Sequence, residues 1–403
     1  MTNVPEIRFK GFANTWEQRK LGEVVSEKIS NGIMNRPGRS ELNAKHINVV
    51  NLYTLSQIQP NELAYFDATD KDIEKCNVEI GDIFLTRSSL KLEGIAQANI
   101  LLDDGVYVFD DHIMRLKLTS EFESFFIKEA LNHSQTKKEF MTKAKTGTMT
   151  TIGQDDITSS GITFPTKEEQ THIGIFFRTL DNTIANIKHK LDGLKQLKKA
   201  YLQVMFPQAG ETVPRVRFER FAEPWRQQKL EYYFVERSER SGDGELISVT
   251  INSGVVKASE LDRQIISSDD KSNYKVVKIG DIAYNSMRMW QGASGYSQYD
   301  GILSSAYTVI TPKKTAHSPF FAYLFKKLDM IQIFQRNSQG LTSDTWNLKF
   351  PALSQIEVYA PLVDEQKAIS NFFKLIDGKI GVNAQRIEQL QQLKSAYLQK
   401  MFA

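Results

Sequence analysis

A single cysteine, Cys76, in 403 residues leaves no partner for an internal disulfide and no set for a cysteine-based zinc cluster, which fits a reducing compartment. The opening stretch MTNVPEIRFKGF lacks the apolar core of a secretory signal, and no run approaches the length of a membrane span, so a cytoplasmic protein is expected. Charge of one sign is also lacking. Lys and Arg total 51 against 48 Asp and Glu, a net charge of +3 that neither demands nor excludes nucleic acid, because binding depends on how charge clusters. Catalytic signatures are missing too. There is no G-x-x-x-x-G-K-[ST] phosphate loop, no H-E-x-x-H, no Asn-Pro-Pro-aromatic run to hold an extruded adenine and no Pro-Asp pair to open a nuclease motif. Gly242-Asp243-Gly244 lacks the third glycine of a dinucleotide fingerprint, and the S-x-x-K of Ser88 to Lys91 lacks its partner motifs. The six histidines (46, 112, 133, 172, 189 and 317) show no metal-ligand spacing, and His112, inside a strand run, reads as a hydrogen-bonded core residue. No metal or cofactor is expected on the chain, and catalysis by it alone is not.

What is present is a repeat. Thr166–Phe206 returns as Leu362–Phe402 without a gap: Glu169-Gln170 matches Glu365-Gln366, Phe176-Phe177 matches Phe372-Phe373, and Asp181 matches Asp377, each pair 196 residues apart. Lys198, Ala200, Tyr201, Leu202, Gln203 and Met205 likewise match Lys394, Ala396, Tyr397, Leu398, Gln399 and Met401. Apolar residues at alternating steps of four and three write a heptad seam, including Phe177, Ile184, Leu191 and Tyr201 in the first copy and Phe373, Ile380, Ile387 and Tyr397 in the second. The reading is two rods of roughly 60 Å at ~1.5 Å rise per residue, packed on each other. Asn383 falls on the seam, where a buried amide could fix register. Lys198 and Lys394 also fall on it, beside Leu197 and Leu393, so a shift of the stripe by one residue is expected there. Thr166 followed by Glu169 fits a capping box.

A second repeat precedes each rod by a full domain. Val4-Pro5-Glu6-Ile7-Arg8-Phe9 and Trp16 are echoed by Val213-Pro214-Arg215-Val216-Arg217-Phe218 and Trp225, each pair 209 residues apart. The order is globule, rod, globule, rod: residues 1–165, 166–209, 210–361 and 362–403. Between the repeats similarity drops, but Ile80-Gly81-Asp82-Ile83 reappears as Ile279-Gly280-Asp281-Ile282, a turn followed by a strand. Strands are predicted at 46–52, 106–118, 246–251 and 306–311, and helices around 122–143 and 319–336. The fold class is α+β: two pseudo-symmetric α/β globules with mostly antiparallel sheets, separated by two long helices packed as an antiparallel coiled coil.

Basic and amide-rich loops recur in both globules. The first offers Asn31, Arg36 and Arg39, then Arg87, Ser88, Ser89 and Lys91, then Lys143, Lys145, Thr146, Gly147 and Thr148. The second offers Asn285, Arg288, Trp290 and Gln291, then Arg336, Asn337, Gln339, Gly340 and Thr342, with Gly147 and Gly340 in nearly equivalent places. Arg and Lys can read guanine edges, Asn and Gln can pair bidentately with adenine, and Ser, Thr and glycine amides suit phosphates. Singly these are ordinary solvated loop residues; together they read as a double-stranded DNA surface.

The V-P-x-[IV]-R-F…W segments, the E-Q…F-F…D…L-K-x-A-Y-L-Q-x-M-F helices and the Met287-Arg288-Met289-Trp290-Gln291-Gly292 run resemble the specificity subunits of type I restriction–modification systems, over essentially the whole chain. The resemblance implies two target recognition domains, one for each half of a split asymmetric site, and helices that space them and dock two methyltransferase (modification) subunits. It also implies two restriction–translocase subunits. S-adenosylmethionine and ATP would sit on those partners, which methylate adenine at N6 and translocate and cleave DNA. The helices would hold half-sites about 34–36 Å apart, one turn of duplex. A stand-alone bivalent DNA binder, a coiled-coil scaffold and an enzyme with an unusual site are the alternatives.

Overall fold

The computed structural model describes residues 4–35, 43–208, 210–261, 270–342 and 345–402. It divides the chain into two compact units, Met1–Leu191 with Asn383–Ala403, and Asp192–Val382. Each unit therefore joins one globule to the first half of its own long helix and the last half of the other. The helices run Lys167–Val204 and Val363–Met401.

In the first unit a four-stranded antiparallel sheet orders Ser30–Asn31, Ile113–Leu116, Ile83–Thr86 and Ala98–Ile100. A three-stranded sheet sets Ala64–Phe66 and Tyr107–Phe109 on either side of Ala44–Ile47, and its second pairing is parallel. The second unit repeats the larger sheet as Phe234–Glu236, Tyr307–Pro312, Ile282–Asn285 and Ser294–Tyr296. The predicted strand 106–118 is two strands, and 46–52 is a strand ending at Ile47 followed by a 3-10 turn, Val49–Tyr53. Asn51 takes the backbone N–H of Asn48 at 2.8 Å, a local bond that competes with the ladder. Helices Ser124–Asn132 and Ser134–Lys143, and Ser318–Leu324 and Leu328–Asn337, occupy the two predicted helical regions. No helix among the described residues is long and apolar enough to cross a membrane.

The repeated letters meet in space. Arg8 forks onto Glu169 (Nε–Oε1 2.8 Å, Nη2–Oε2 2.6 Å), and Arg217 forks onto Glu365 at 2.7 Å for both bonds. Glu169 thus gives both oxygens to Arg8 instead of turning back on Thr166. Main-chain bonds from Ile7 N–H to the Lys400 carbonyl and from Val216 N–H to the Val204 carbonyl, each 2.9 Å, lash each entry segment to the end of a long helix. Glu17–Lys20 pairs with Gly161–Phe164 and Arg226–Lys229 with Glu357–Ala360, closing each globule on itself.

Within each unit the two helix segments pack antiparallel. Phe176 meets Tyr397 edge-on at 5.1 Å in the first, and Phe372 meets Tyr201 at 4.9 Å in the second. Phe177, Ile184, Leu191 and Phe373 are buried, and Tyr201, Ile380, Ile387 and Tyr397 are half-buried, so every one lies on the covered face. The stripe does not shift at the lysines. Leu197 and Leu393 are exposed, both at 44%, while Lys198 and Lys394 stay on the seam. They stay because each ammonium meets the repeated aspartate of the facing helix: Lys394 to Asp181 at 2.7 Å and Lys198 to Asp377 at 2.6 Å. Each globule's core is completed by the far helix end: Phe402 stacks on Phe126 at 5.2 Å in one unit, and Phe206 stacks on Phe320 at 5.2 Å in the other.

Candidate nucleic-acid interface

The site is built at the end of the central strand in each unit. Gly81 (φ +90°) and Gly280 (φ +93°) make the turn entering that strand, a backbone that disfavours a side chain. The next aspartate locks it: Asp82 accepts from Glu79 N–H at 2.9 Å and Asp281 from Lys278 N–H at 2.8 Å. Asp281 also receives both arms of Arg237, at 2.7 and 3.0 Å. Arg115 stands farther from Asp82, at 3.5 Å, and burial pushes that carboxyl up to about 6 against the pull of the Glu79 amide and Arg115.

Past the strand, each chain is clamped to a later loop. The Arg87 carbonyl accepts from Ile152 N–H at 3.0 Å, and the Ser286 carbonyl from Leu348 N–H at 2.8 Å. Those loops are closed in the same way. Lys145 and Thr151 exchange two main-chain bonds (2.8 and 2.9 Å), as do Gln339 and Asn347 (3.0 and 2.8 Å). Gly340 is needed at its bend: φ is +144°, and a Cβ there would stand 2.6 Å from the Thr345 carbonyl oxygen.

This frame sorts the candidates. Arg87, Lys91, Lys145, Thr146, Gly147 and Thr148 are exposed in the first unit, and Arg288, Arg336, Asn337, Gln339, Gly340 and Thr342 in the second. The Arg288 guanidinium rests on Gln291 Oε1 at 3.1 Å, and Arg87 reaches the Asp111 carbonyl at 3.4 Å, both loose tethers. Others serve the loops themselves. Ser88 is buried with its Oγ 2.6 Å from His112 Nδ1, while Ser89 is half-buried where its strand pairs with Thr150. Lys143 is held by Ser160 Oγ (2.8 Å), Glu139 (2.9 Å) and Ser159 Oγ (3.2 Å), which fixes the base of the loop. Asn285 caps Met287 N–H at 3.0 Å. Trp290 packs edge-on against Trp346 at 5.2 Å and donates to the Met287 carbonyl. Asn31 accepts from Gln154 Nε2 at 3.1 Å. Arg36 and Arg39 lie outside the described residues.

Sequence reasoning missed Gln154, Trp346 and Asn347, because their role is set by loops that meet only in the fold. His112 is exposed rather than a core residue. Its ligand-capable atoms and those of Asp110 and Asp111 lie within 4.8 Å of one another. Asp110 is engaged with the His112 backbone N–H at 2.8 Å.

The family model for the type I restriction modification DNA specificity domain matches residues 13–196 and 231–392. The chain belongs to that family. The chain is 24% identical over 397 residues to a protein of Methanocaldococcus jannaschii described as a type I restriction enzyme MjaX specificity subunit, covering 94% of this chain and 91% of the relative. Its fold is shared with the type I restriction–modification S subunit from M. genitalium, at a TM-score of 0.63, 16% identity and 99% of each chain. A chain from a structure of type I restriction–modification complex assembly and conformational transition matches at a TM-score of 0.50 and 12% identity, over 96% and 97% of the two chains. As a specificity subunit the protein recognises DNA and assembles with other restriction–modification subunits; it is not a catalytic subunit.

Proposed function

We propose that this subunit reads a split, asymmetric double-stranded DNA site, one half-site per unit, and positions adenine-N6 methyltransferase and motor–nuclease subunits on it. The observation that carries the reading is the pair of equivalent, main-chain-closed loops at 145–151 and 339–347, each locked to the end of a central strand and each presenting different side chains. Equivalent frames with unlike residues suit two unlike half-sites. S-adenosylmethionine and ATP are assigned to the partners, and the whole assembly to the cytoplasm. Methylome sequencing of a host with and without the chain tests this: a bipartite adenine-methylated motif should vanish with the gene, and an unchanged methylome overturns it.

Arg288→Ala and Arg87→Ala should each weaken binding of the cognate duplex. A bidentate arginine–guanine contact discriminates by about 1–3 kcal/mol, or roughly 5- to 150-fold. Each loss should relax preference in one half-site only, read by fluorescence anisotropy on duplexes altered in one half. Both arginines are exposed, so thermal melting should not move.

Two copies of each partner are assigned because the exposed leucines recur. Leu197 and Leu393 stand at matching places on the two helices with equal exposure. Leu197→Glu or Leu393→Glu should leave one modification subunit bound, and the double variant none, as read by native mass spectrometry. Burial of one leucine is worth about 1.5–3 kcal/mol, enough for this effect at micromolar concentrations.

A further inference from the structure

The second unit holds a cleft of about 640 Å³. Its walls bring together Lys198, Lys326, Lys374, Tyr296, Tyr323 and Ser294. That volume is typical of small-molecule sites, which run about 300–1,000 Å³. Lys198 pairs with Asp377 and lies 5.3 Å from the Tyr323 ring centre, and the Tyr323 hydroxyl donates to Asp377 at 2.8 Å. Lys374 stands 5.3 Å over the Tyr296 ring. Lys326 donates to the carbonyls of Ile251 (2.7 Å) and Gly292 (2.5 Å), neutral acceptors that leave its charge uncompensated. Three ammoniums thus face one carboxylate.

The first unit arranges its equivalent residues differently. There the matching pair, Lys394 and Asp181, is joined by Glu129 and Lys128, and Lys128 Nζ donates to the Ser56 carbonyl at 3.1 Å. Ser56 Oγ in turn donates to Asn182 at 2.9 Å. A loop of the chain's own therefore closes over neutralised charge. In the second unit the cations outnumber the anion and the space is open.

We propose that this cleft binds a phosphate-bearing ring compound of the mononucleotide class, with phosphates on Lys326 and Lys374 and the ring against the tyrosines. Lysines recognise phosphate as point charges, and aromatic faces take a base by stacking. None of the residues lining the cleft is among the DNA-reading candidates, so the proposal does not depend on the reading above.

Calorimetry on the full chain tests it, with adenosine diphosphate as the probe and inorganic pyrophosphate and adenosine as charge-only and ring-only controls. The diphosphate should bind at least about tenfold more tightly than either control. Lys326→Met should lose about tenfold or more, and Lys374→Gln, on an exposed helix face, serves if the first variant fails to fold. Burial and the neighbouring Lys198 push the Lys326 ammonium down to about 8, with Lys374, Asp377, Tyr296 and Tyr323 as the other ionisable groups lining the cleft. An anion that favours the charged form should therefore draw in a proton near pH 8, seen as a buffer-dependent heat, and affinity should fall between pH 7.5 and 9. No binding at millimolar diphosphate, equal affinity for pyrophosphate, or unchanged binding by both variants overturns the proposal.

Discussion

Lys394→Ala should destabilise the first unit by about 3–5 kcal/mol, the size expected when one partner is removed from a buried ion pair. Four charges meet there. Lys394 lies 2.7 Å from Asp181 and 3.4 Å from Glu129, and Lys128 lies 2.5 Å from Glu129 and 3.6 Å from Asp181. Asp181 is fully buried and Glu129 is 2% exposed, so both carboxylates lean on the two ammoniums rather than on water. Burial alone would raise the Glu129 carboxyl, but Lys128 and Lys394 outweigh it and hold it below the usual range. Burial would likewise lower Lys394, and Glu129 and Asp181 outweigh that and hold it above. A depressed carboxyl stabilises above its unfolded pKa and loses that as pH falls; a raised lysine stabilises below its unfolded pKa and loses that as pH rises. The wild-type cluster is therefore strongest across the neutral window. In the variant two carboxylates share one ammonium, so its deficit should shrink as acid protonates one of them. Urea unfolding between pH 4.5 and 7.5 reads this. The matching Lys198→Ala removes a pair whose side chains are 27% and 39% exposed, and should cost about 1 kcal/mol or less. Equal losses in the two variants would sink the argument.

Arg217→Ala should cost about 3 kcal/mol by the same logic, through a different anchor. Glu365 is 3% exposed on its side chain and accepts two bonds from Arg217 and one from Trp225 Nε1 at 3.3 Å. Loss of the fork leaves a buried carboxylate with only the indole. Arg217→Lys should recover little, because a point charge on a flexible stem cannot reproduce the planar fork. Hydrogen exchange at Val216, whose amide is tied to Val204, should speed up in step with the loss of stability. Full rescue by lysine would show that charge alone holds the segment.

The architecture was largely legible because duplication writes its own alignment, and the seam residues repeat at helical spacing. The pairings were not. Arg8 and Glu169 stood out as repeated letters, but their union spans 161 residues and no local pattern announces it. Lys198 and Lys394 looked like breaks in an apolar stripe because their aspartates lie on the other helix. Among the interface candidates, Arg87 and Arg288 were read as loop residues, and both are exposed. The inward turn of Ser88 and the anchoring of Lys143 depended on neighbours brought in by later loops, His112 and Ser160.

Phe206 and Phe402 carry a consequence for ancestry. Each globule takes its last aromatic plug from the helix that ends the other repeat, so neither half of the chain encodes a finished core. A half-length chain ending near Phe206 would carry one plug and one empty socket, and two such chains could satisfy each other. The present polypeptide has the layout of an exchanged homodimer joined into one chain.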